Sequence, residues 1–183
     1  MNGQIFTEVN PPDLIFDSTG ELIITAPASS SKHDFDFLVG SHIIHQRALK
    51  DRLRGSQDWR EYDGTSKSTA LLDGTVNQEI YQLINSTGKS YEGMALRLFN
   101  PLTKLWSIYW IQSDVGMLGD PPEVGYFENA VGFFFSQGMF TGKNITTVFK
   151  WDAREKSKPI WSQAFSEDNG KTWEWNWYMY YSR

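Results

Sequence analysis

The chain reads as an all-β protein: a closed antiparallel up-and-down β-barrel of nine or ten strands with an N-terminal hairpin extension. Three observations predict this. Short runs rich in β-branched and aromatic residues recur at regular spacing between clusters of Gly, Asn, Asp and Pro. No stretch carries the periodicity of a long amphipathic helix. Most breaks are short enough for hairpins, so strands adjacent in sequence pair and the sheet closes on itself.

Residues 1–33 form an extension. Segments 13–16 and 21–25 flank Asp17-Ser18-Thr19-Gly20, which is hairpin chemistry, and APASSS (26–31) is a linker. A lone hairpin is marginal, so its apolar face must lie on a barrel mouth, a sheet edge or a second subunit. The barrel domain takes residues 34–183. In DFDFLVGSH (34–42) apolar residues crowd up to Gly40. This predicts a buried lead-in tucked under the sheet, with a close backbone approach at the glycine.

The first long strand covers 41–49, and a polar loop runs through 54–58. Residues 59–72 form a long strand with a bulge or corner at Asp63-Gly64. Asp73-Gly74 turns, 75–84 is a strand, and Asn85-Ser86-Thr87-Gly88 turns again. Residues 91–99 pair with 105–112. The stretch 113–122 is too rich in Gly, Asp and Pro for a central strand. Strands at 123–128, 131–136, 144–151, 159–165 and 172–182 complete the set, with short connections at Asn129, Gly138, Gly142 and Gly170. The run SEDNGKTW (166–173) is similar to the Asp-box of sialidase-type propellers. In a single copy it reads as a hairpin device: Ser166 and Asp168 bond loop amides, Gly170 takes positive φ and Trp173 packs beneath.

Composition narrows the function classes. A chain of 183 residues buries enough surface for a core without staples. It has no cysteine, so disulfides, thiolate metal sites and thiol nucleophiles are excluded. The net charge of −5 argues against nucleic acid. No run is apolar over the ~18 residues of a membrane span, and the start shows no signal sequence, so the expectation is a cytoplasmic protein without a membrane partner. Aromatic content is high at 15%, and of eight Trp only Trp59 precedes residue 105. Bulky rings fill a barrel or line a pocket.

Strand parity selects the rings and polar groups that meet a ligand. In the last strand Trp173, Trp175, Trp177, Met179 and Tyr181 share the more apolar face, which is expected to point inward. Met94, Leu96 and Leu98 are expected inward, with Ala95, Arg97 and Phe99 outward. The face of Trp106, Ile108 and Trp110 is expected inward. His42, Ile44, Gln46 and Ala48 share a face, and Gln163 lies between Trp161 and Phe165. The predicted ligand-binding set is therefore Gln46, Met94, Trp106, Trp110, Gln163, Trp175 and Trp177, with the two glutamines setting orientation.

His45 and Arg47 share the opposite face of the first long strand. A histidine beside an arginine can act as a general base with a lowered pKa, which makes the pair the catalytic candidates. His42 and His45 lie on opposite faces and His33 in the linker, so no metal or cofactor is expected.

The segments FDFLVGSH (35–42), HQRAL (45–49), LLDG (71–74), LRLFNP (96–101), WSIYW (106–110), DPPEVGYFENAVG (120–132), WSQAFSEDNGKTW (161–173) and NWYMYYSR (176–183) resemble a bacterial family of uncharacterised proteins labelled DUF1579-like, placed near the calycin (lipocalin and fatty-acid-binding) barrels. The resemblance spans nearly all of 34–183 and implies a lipocalin-like barrel without implying an activity. Calycin barrels open with a Gly-x-Trp motif whose Trp seals the closed end, under an Arg from the last strand. Gly40 and Arg183 match, and His42 stands at the Trp position. The resemblance thus implies that His42 and Arg183 meet at the closed end.

Together these readings predict a barrel that binds a small, largely apolar or aromatic molecule. Two others compete: an isomerase, cyclase or hydrolase using His45 and Arg47 in the cavity, and a structural module with a filled barrel. Homodimerisation through the hairpin or an exposed aromatic face is the expected form of self-association.

Overall fold

The computed structural model describes residues 7–84, 89–118 and 121–183. A two-stranded sheet is formed by β1 (Ile15–Phe16) and β2 (Leu22–Ile23). The remaining strands are β3 (Gly40–Leu49), β4 (Trp59–Leu71), β5 (Val76–Ile84), β6 (Ser90–Asn100), β7 (Leu105–Gln112), β8 (Glu123–Glu128), β9 (Val131–Phe140), β10 (Lys143–Asp152), β11 (Ile160–Ser166) and β12 (Glu174–Ser182). Each pairs antiparallel with its neighbours in sequence, and β12 pairs with β3. The result is a closed up-and-down barrel of ten strands, which leaves no free edge.

Turn chemistry sets the hairpins. Asn129 and Ala130 have φ of 51° and 64°, and Thr141 and Gly142 have 48° and 82°. Two successive positive φ values give the tight turn whose twist matches the strands. β9 therefore runs on to Phe140, and Gly138, expected in a connection, sits inside it opposite Ile145. The turn expected at Asn85-Ser86-Thr87-Gly88 lies outside the described residues.

The bulge expected at Asp63-Gly64 is absent, because β3 and β4 stay in register from Gly40↔Ser68 to Leu49↔Trp59. Gly64 instead admits β5, since a Cβ there would lie 2.6 Å from Leu83 Cδ2 and 2.7 Å from the Gln82 carbonyl oxygen. The real irregularity falls between β11 and β12. Gln163 pairs with Trp177, but Ala164 pairs with Trp175, so Asn176 is the extra residue. A bulge reverses the alternation beyond it. Trp177, Met179 and Tyr181 point inward as expected, while Trp173 and Trp175 turn outward.

β6 also departs from the expected parity. Ala95 and Arg97 are buried and Leu98 is exposed, so Met94, Leu96 and Leu98 point away from the interior. β5 behaves the same way: Asn77, Glu79, Tyr81 and Leu83 are buried while Ile80 and Ile84 are exposed. The apolar-inward rule fails on these two strands because the barrel encloses a polar cluster. Arg97 Nη2 donates to Glu79 Oε2 at 2.7 Å and Arg97 Nη1 to Asn77 Oδ1 at 2.7 Å. Ser66 Oγ donates to Glu79 Oε1, and the Tyr81 hydroxyl to Glu79 Oε2. A buried ion pair persists when most of its remaining donors and acceptors are matched, as they are here apart from Arg97 Nε.

The lead-in seals one end. A 3-10 turn, Asp36–Leu38, carries Phe35 and Phe37 into a cluster with Trp106, Phe127, Phe134, Trp151 and Tyr181. Phe35 meets Trp106 and Phe127 edge-on, both at 4.9 Å. Such geometry adds to the roughly 2–3 kcal/mol gained by burying one phenyl ring. Gly40 does not serve a close approach, because a Cβ there would meet nothing within 4 Å. Its φ of +120° is what requires glycine. Arg183 returns from β12 and donates from Nη2 to the carbonyls of Phe37 (3.2 Å) and Val39 (3.1 Å).

The extension straps the outside of the barrel. Val9, Leu14, Leu22 and Ile24 cover an apolar cluster of Val131, Phe133, Phe135, Val148 and Ala164, together with Trp173 and Trp175. The Leu22 backbone N–H donates to Gln137 Oε1, Gln137 Nε2 donates to the Gly20 carbonyl, and Lys150 Nζ donates to the Val9 carbonyl. Leu14 packs on Gly170 of the 166–173 loop, where Asp168 accepts from the Thr172 backbone N–H and hydroxyl. That loop is the expected hairpin device, and its hydrogen bonds hold the Asp168 carboxyl down at about 2. Among the described residues no helix is long and apolar enough to cross a membrane.

Candidate functional site

Above the sealed end the barrel is not filled. A cavity of about 350 Å³ opens between Trp110 of β7, Phe149 and Trp151 of β10, Trp161 and Gln163 of β11, and Trp177 and Met179 of β12. Its volume lies at the low end of small-molecule pockets. Each wall follows from strand alternation. Trp161, Gln163 and Phe165 share a parity on β11, and Ile108 and Trp110 share one on β7. Room for the Trp110 ring comes from the facing strand: a Cβ on Gly93 would lie 2.3 Å from it.

The aromatic walls hold one another in place. Trp161 meets Trp177 edge-on at 5.3 Å, and Phe149 meets Trp161 at 5.0 Å. Across the cavity Tyr81 meets Trp110 at 5.4 Å. Trp177 donates from Nε1 to Gln46 Oε1 at 3.1 Å, which fixes the ring plane. Gln163 is fixed by donating from Nε2 to Asn176 Oδ1 at 2.8 Å, so the residue that forms the bulge also orients a cavity amide.

Toward the sealed end the cavity floor is the Arg97–Glu79–Tyr81 cluster under Trp151. The Arg97 guanidinium lies 4.9 Å from the Phe35 ring centre and 5.5 Å from that of Trp151. Burial pulls the Arg97 pKa down, but Tyr81 and Glu79 outweigh it and the guanidinium stays charged. Burial, reinforced by the Glu79 charge, pushes the Tyr81 phenol well above its usual range. Two floor donors lack acceptors among the described residues, Arg97 Nε and Trp151 Nε1.

Nearer the mouth stands Glu123, at the start of β8. Its carboxylate accepts from Ser136 Oγ at 3.4 Å. Burial pushes its pKa up to about 7, against the smaller opposing effects of its own backbone N–H and Ser136. Pro121, Gly138 and Met139 complete this side, and Met139 is 71% exposed. Beyond Trp177 a second groove runs along Gln46, Tyr62, Tyr91, Lys50, Arg52 and Arg60. Arg52 closes over it, 5.4 Å from the Trp177 ring centre and 5.6 Å from that of Phe165.

Of the residues expected at the site, Trp110, Gln163 and Trp177 line the cavity. Gln46 is buried behind Trp177 and supports it. Trp106 points inward but belongs to the sealed end: it is fully buried, and its indole N–H donates to the Ser31 carbonyl at 3.2 Å. Met94 lies on the outward face of β6, because Arg97 claims the interior for the other parity. Trp175 lies outside under the extension, because of the bulge at Asn176.

His45 and Arg47 do not reach the cavity. His45 Nδ1 lies 2.9 Å from Asp63 Oδ1 on the outer face, and its ring stacks on Tyr180. The Arg47 guanidinium lies 4.4 Å from the centre of the Trp59 ring. The alternation that turns Gln46 inward turns both outward. Gly40, His42 and Arg183 do gather at the closed end. His42 is buried, 5.7 Å from the Tyr181 ring, and borders one groove with Arg183. Burial lowers its pKa, Glu79 opposes this, and Arg183 adds to it.

Sequence reasoning passed over Glu123 and the Glu79–Arg97 pair. For Glu123 the signal was present, since it shares parity with the buried Gly125 and Phe127. Among the described residues no cluster of three or more metal-ligating side chains occurs. In comparisons with known proteins, no family model and no curated protein matches the chain.

Proposed function

We propose that this protein binds a small, largely apolar or aromatic molecule inside its barrel. The observation that carries the reading is the cavity of about 350 Å³, walled by Trp110, Phe149, Trp161 and Trp177 and carrying few polar groups at defined positions. Aromatic walls gain from burial and ring stacking, and the polar groups set orientation. Gln163, held in place by Asn176, supplies that orientation.

The same proposal includes membership of the DUF1579-like, lipocalin-like barrels. Its support is the sequential closed barrel, the lead-in beneath it and the return of Arg183 to the lead-in carbonyls. Catalysis by His45 and Arg47 gains no support from their outer-face positions, and a filled structural barrel gains none from the cavity.

Tryptophan fluorescence titrated with a library of small aromatic and aliphatic compounds tests the reading. Saturable changes that disappear in Trp161→Ala and Trp177→Ala are expected. No response to any compound from a folded wild-type protein would remove it.

A further inference from the structure

We propose that the cavity selects an amine, whose ammonium pairs with the Glu123 carboxylate while its apolar body lies among Trp110, Phe149, Trp161 and Trp177. The inference rests on the reading of the barrel as a small-molecule binder and adds the charge of the occupant.

The argument starts from an imbalance. Two glutamates of the barrel interior, Glu79 and Glu123, are treated differently. Glu79 receives Arg97, Tyr81 and Ser66. Among the described residues Glu123 receives only a long hydrogen bond from Ser136 and one from its own backbone N–H, and no cationic side chain pairs with it. A carboxyl withdrawn from water without a counter-charge is costly to ionise. The other titratable groups that line the cavity, Arg97 and Tyr81, are already engaged with Glu79. Glu123 is therefore available to an occupant.

The occupant's complementary group is a cation. Ring faces reinforce this, because the aromatic quadrupole attracts an ammonium and repels a carboxylate. An anion would meet an acidic group within the cavity. The basic groove beyond Trp177 does not reverse this, since its cations are spoken for. Lys50 pairs with Asp58 at 3.7 Å, Arg52 lies beside Glu174 and over Phe165, and Arg60 has a partner as well.

Binding is coupled to the protonation of Glu123. In the free protein Glu123 is about half protonated near neutrality. Pairing with an ammonium requires the carboxylate, so the protonated fraction releases its proton to solvent, about half a proton per binding event near neutrality and none well above it. Amine affinity should then follow the ionised fraction of Glu123.

The test uses three ligands of one shape: phenethylamine, phenethyl alcohol and phenylacetate, titrated by tryptophan fluorescence at about pH 8, where Glu123 is ionised. The amine is expected to bind at least about tenfold more tightly than the alcohol, with phenylacetate weakest. Glu123→Gln is expected to erase that preference, with the amine falling to about the alcohol's affinity. In the wild type, amine affinity is expected to rise about tenfold between about pH 6 and about pH 8 while alcohol affinity stays flat, a readout independent of the variant's folding. Alcohol or phenylacetate binding as tightly as the amine, or a preference that survives Glu123→Gln, would overturn the charge assignment and leave the cavity reading standing. Failure of all three to bind would overturn the amine assignment, and the cavity reading would fall only with the wider compound library.

Discussion

Arg97 and Glu79 face each other inside the barrel, Nη2 to Oε2 at 2.7 Å, with side chains 2% and 0% exposed. The guanidinium is part of the cavity floor and also packs on the sealed end, over Phe35 and near Trp151. One ion pair therefore joins the part of the barrel that is packed solid to the part that is hollow. Arg97→Met would strand a buried carboxylate, which costs about 3–5 kcal/mol. Adding Glu79→Gln should recover part of that loss, because the stranded charge is then gone. Urea melts of the two variants and of the double variant check both statements; equal and additive losses would show that the two residues are not coupled.

Glu123 gives stability a pH dependence of known sign. Its pKa rises from 4.5 to about 7 on folding, so the native state holds the proton more tightly than the unfolded chain. The contribution is complete below about pH 4.5 and is lost as pH rises through about 7. Glu123→Gln should be more stable than wild type at about pH 8, with the advantage shrinking toward about pH 5. The wild-type-minus-variant difference in urea midpoints isolates this group, because His42, whose lowered pKa acts in the opposite sense, titrates in both proteins. A difference that is flat across the range would place the carboxyl in water.

Trp175 and Trp177 are two residues apart, and the bulge assigns them different duties. Trp177→Ala should remove ligand-induced fluorescence change and weaken binding by at least about tenfold, as loss of a large ring from a pocket implies. Trp175→Ala should leave binding intact and loosen the extension, lowering stability by about 2–4 kcal/mol. Ligand titration beside thermal melting separates the two. Identical phenotypes would mean that alternation runs unbroken through Asn176.

Gly93 has its place because of Trp110. A methyl group there would lie 2.3 Å from the indole, so Gly93→Ala must push the ring toward the cavity. Overpacking of this kind costs about 1–3 kcal/mol. The expected result is a lower melting temperature together with reduced ligand affinity. Restoration of both by Trp110→Phe in the same chain checks the cause.

The extension covers Val131, Phe133, Phe135 and Val148 on the barrel's outer face. A chain beginning at residue 26 should expose that patch, lower the melting temperature and bind a hydrophobic dye outside the cavity. Unchanged melting and no new dye binding would show that the strap contributes nothing to the barrel's stability.

What the chain determined by itself is local. Turn residues such as Asp17-Ser18-Thr19-Gly20 and SEDNGKTW punctuate the strands, and their regular spacing specifies an all-β closed barrel with consecutive strands paired. The inward faces of β7, β11 and the C-terminal part of β12 were legible because large rings recur there at alternate positions, which brought Trp110, Gln163 between Trp161 and Phe165, and Trp177 to the cavity. Three decisions belonged to the tertiary structure. A single extra residue, Asn176, reversed Trp175, and nothing short-range distinguishes a bulge from a continuing strand. Glu79 and Arg97 reversed β6, because an ion pair becomes compatible with burial only when partners from different strands meet, and those partners are 18 residues apart. The same holds for Glu123: its parity was visible in the sequence, but its lack of a counter-charge exists only once every neighbouring strand is in place.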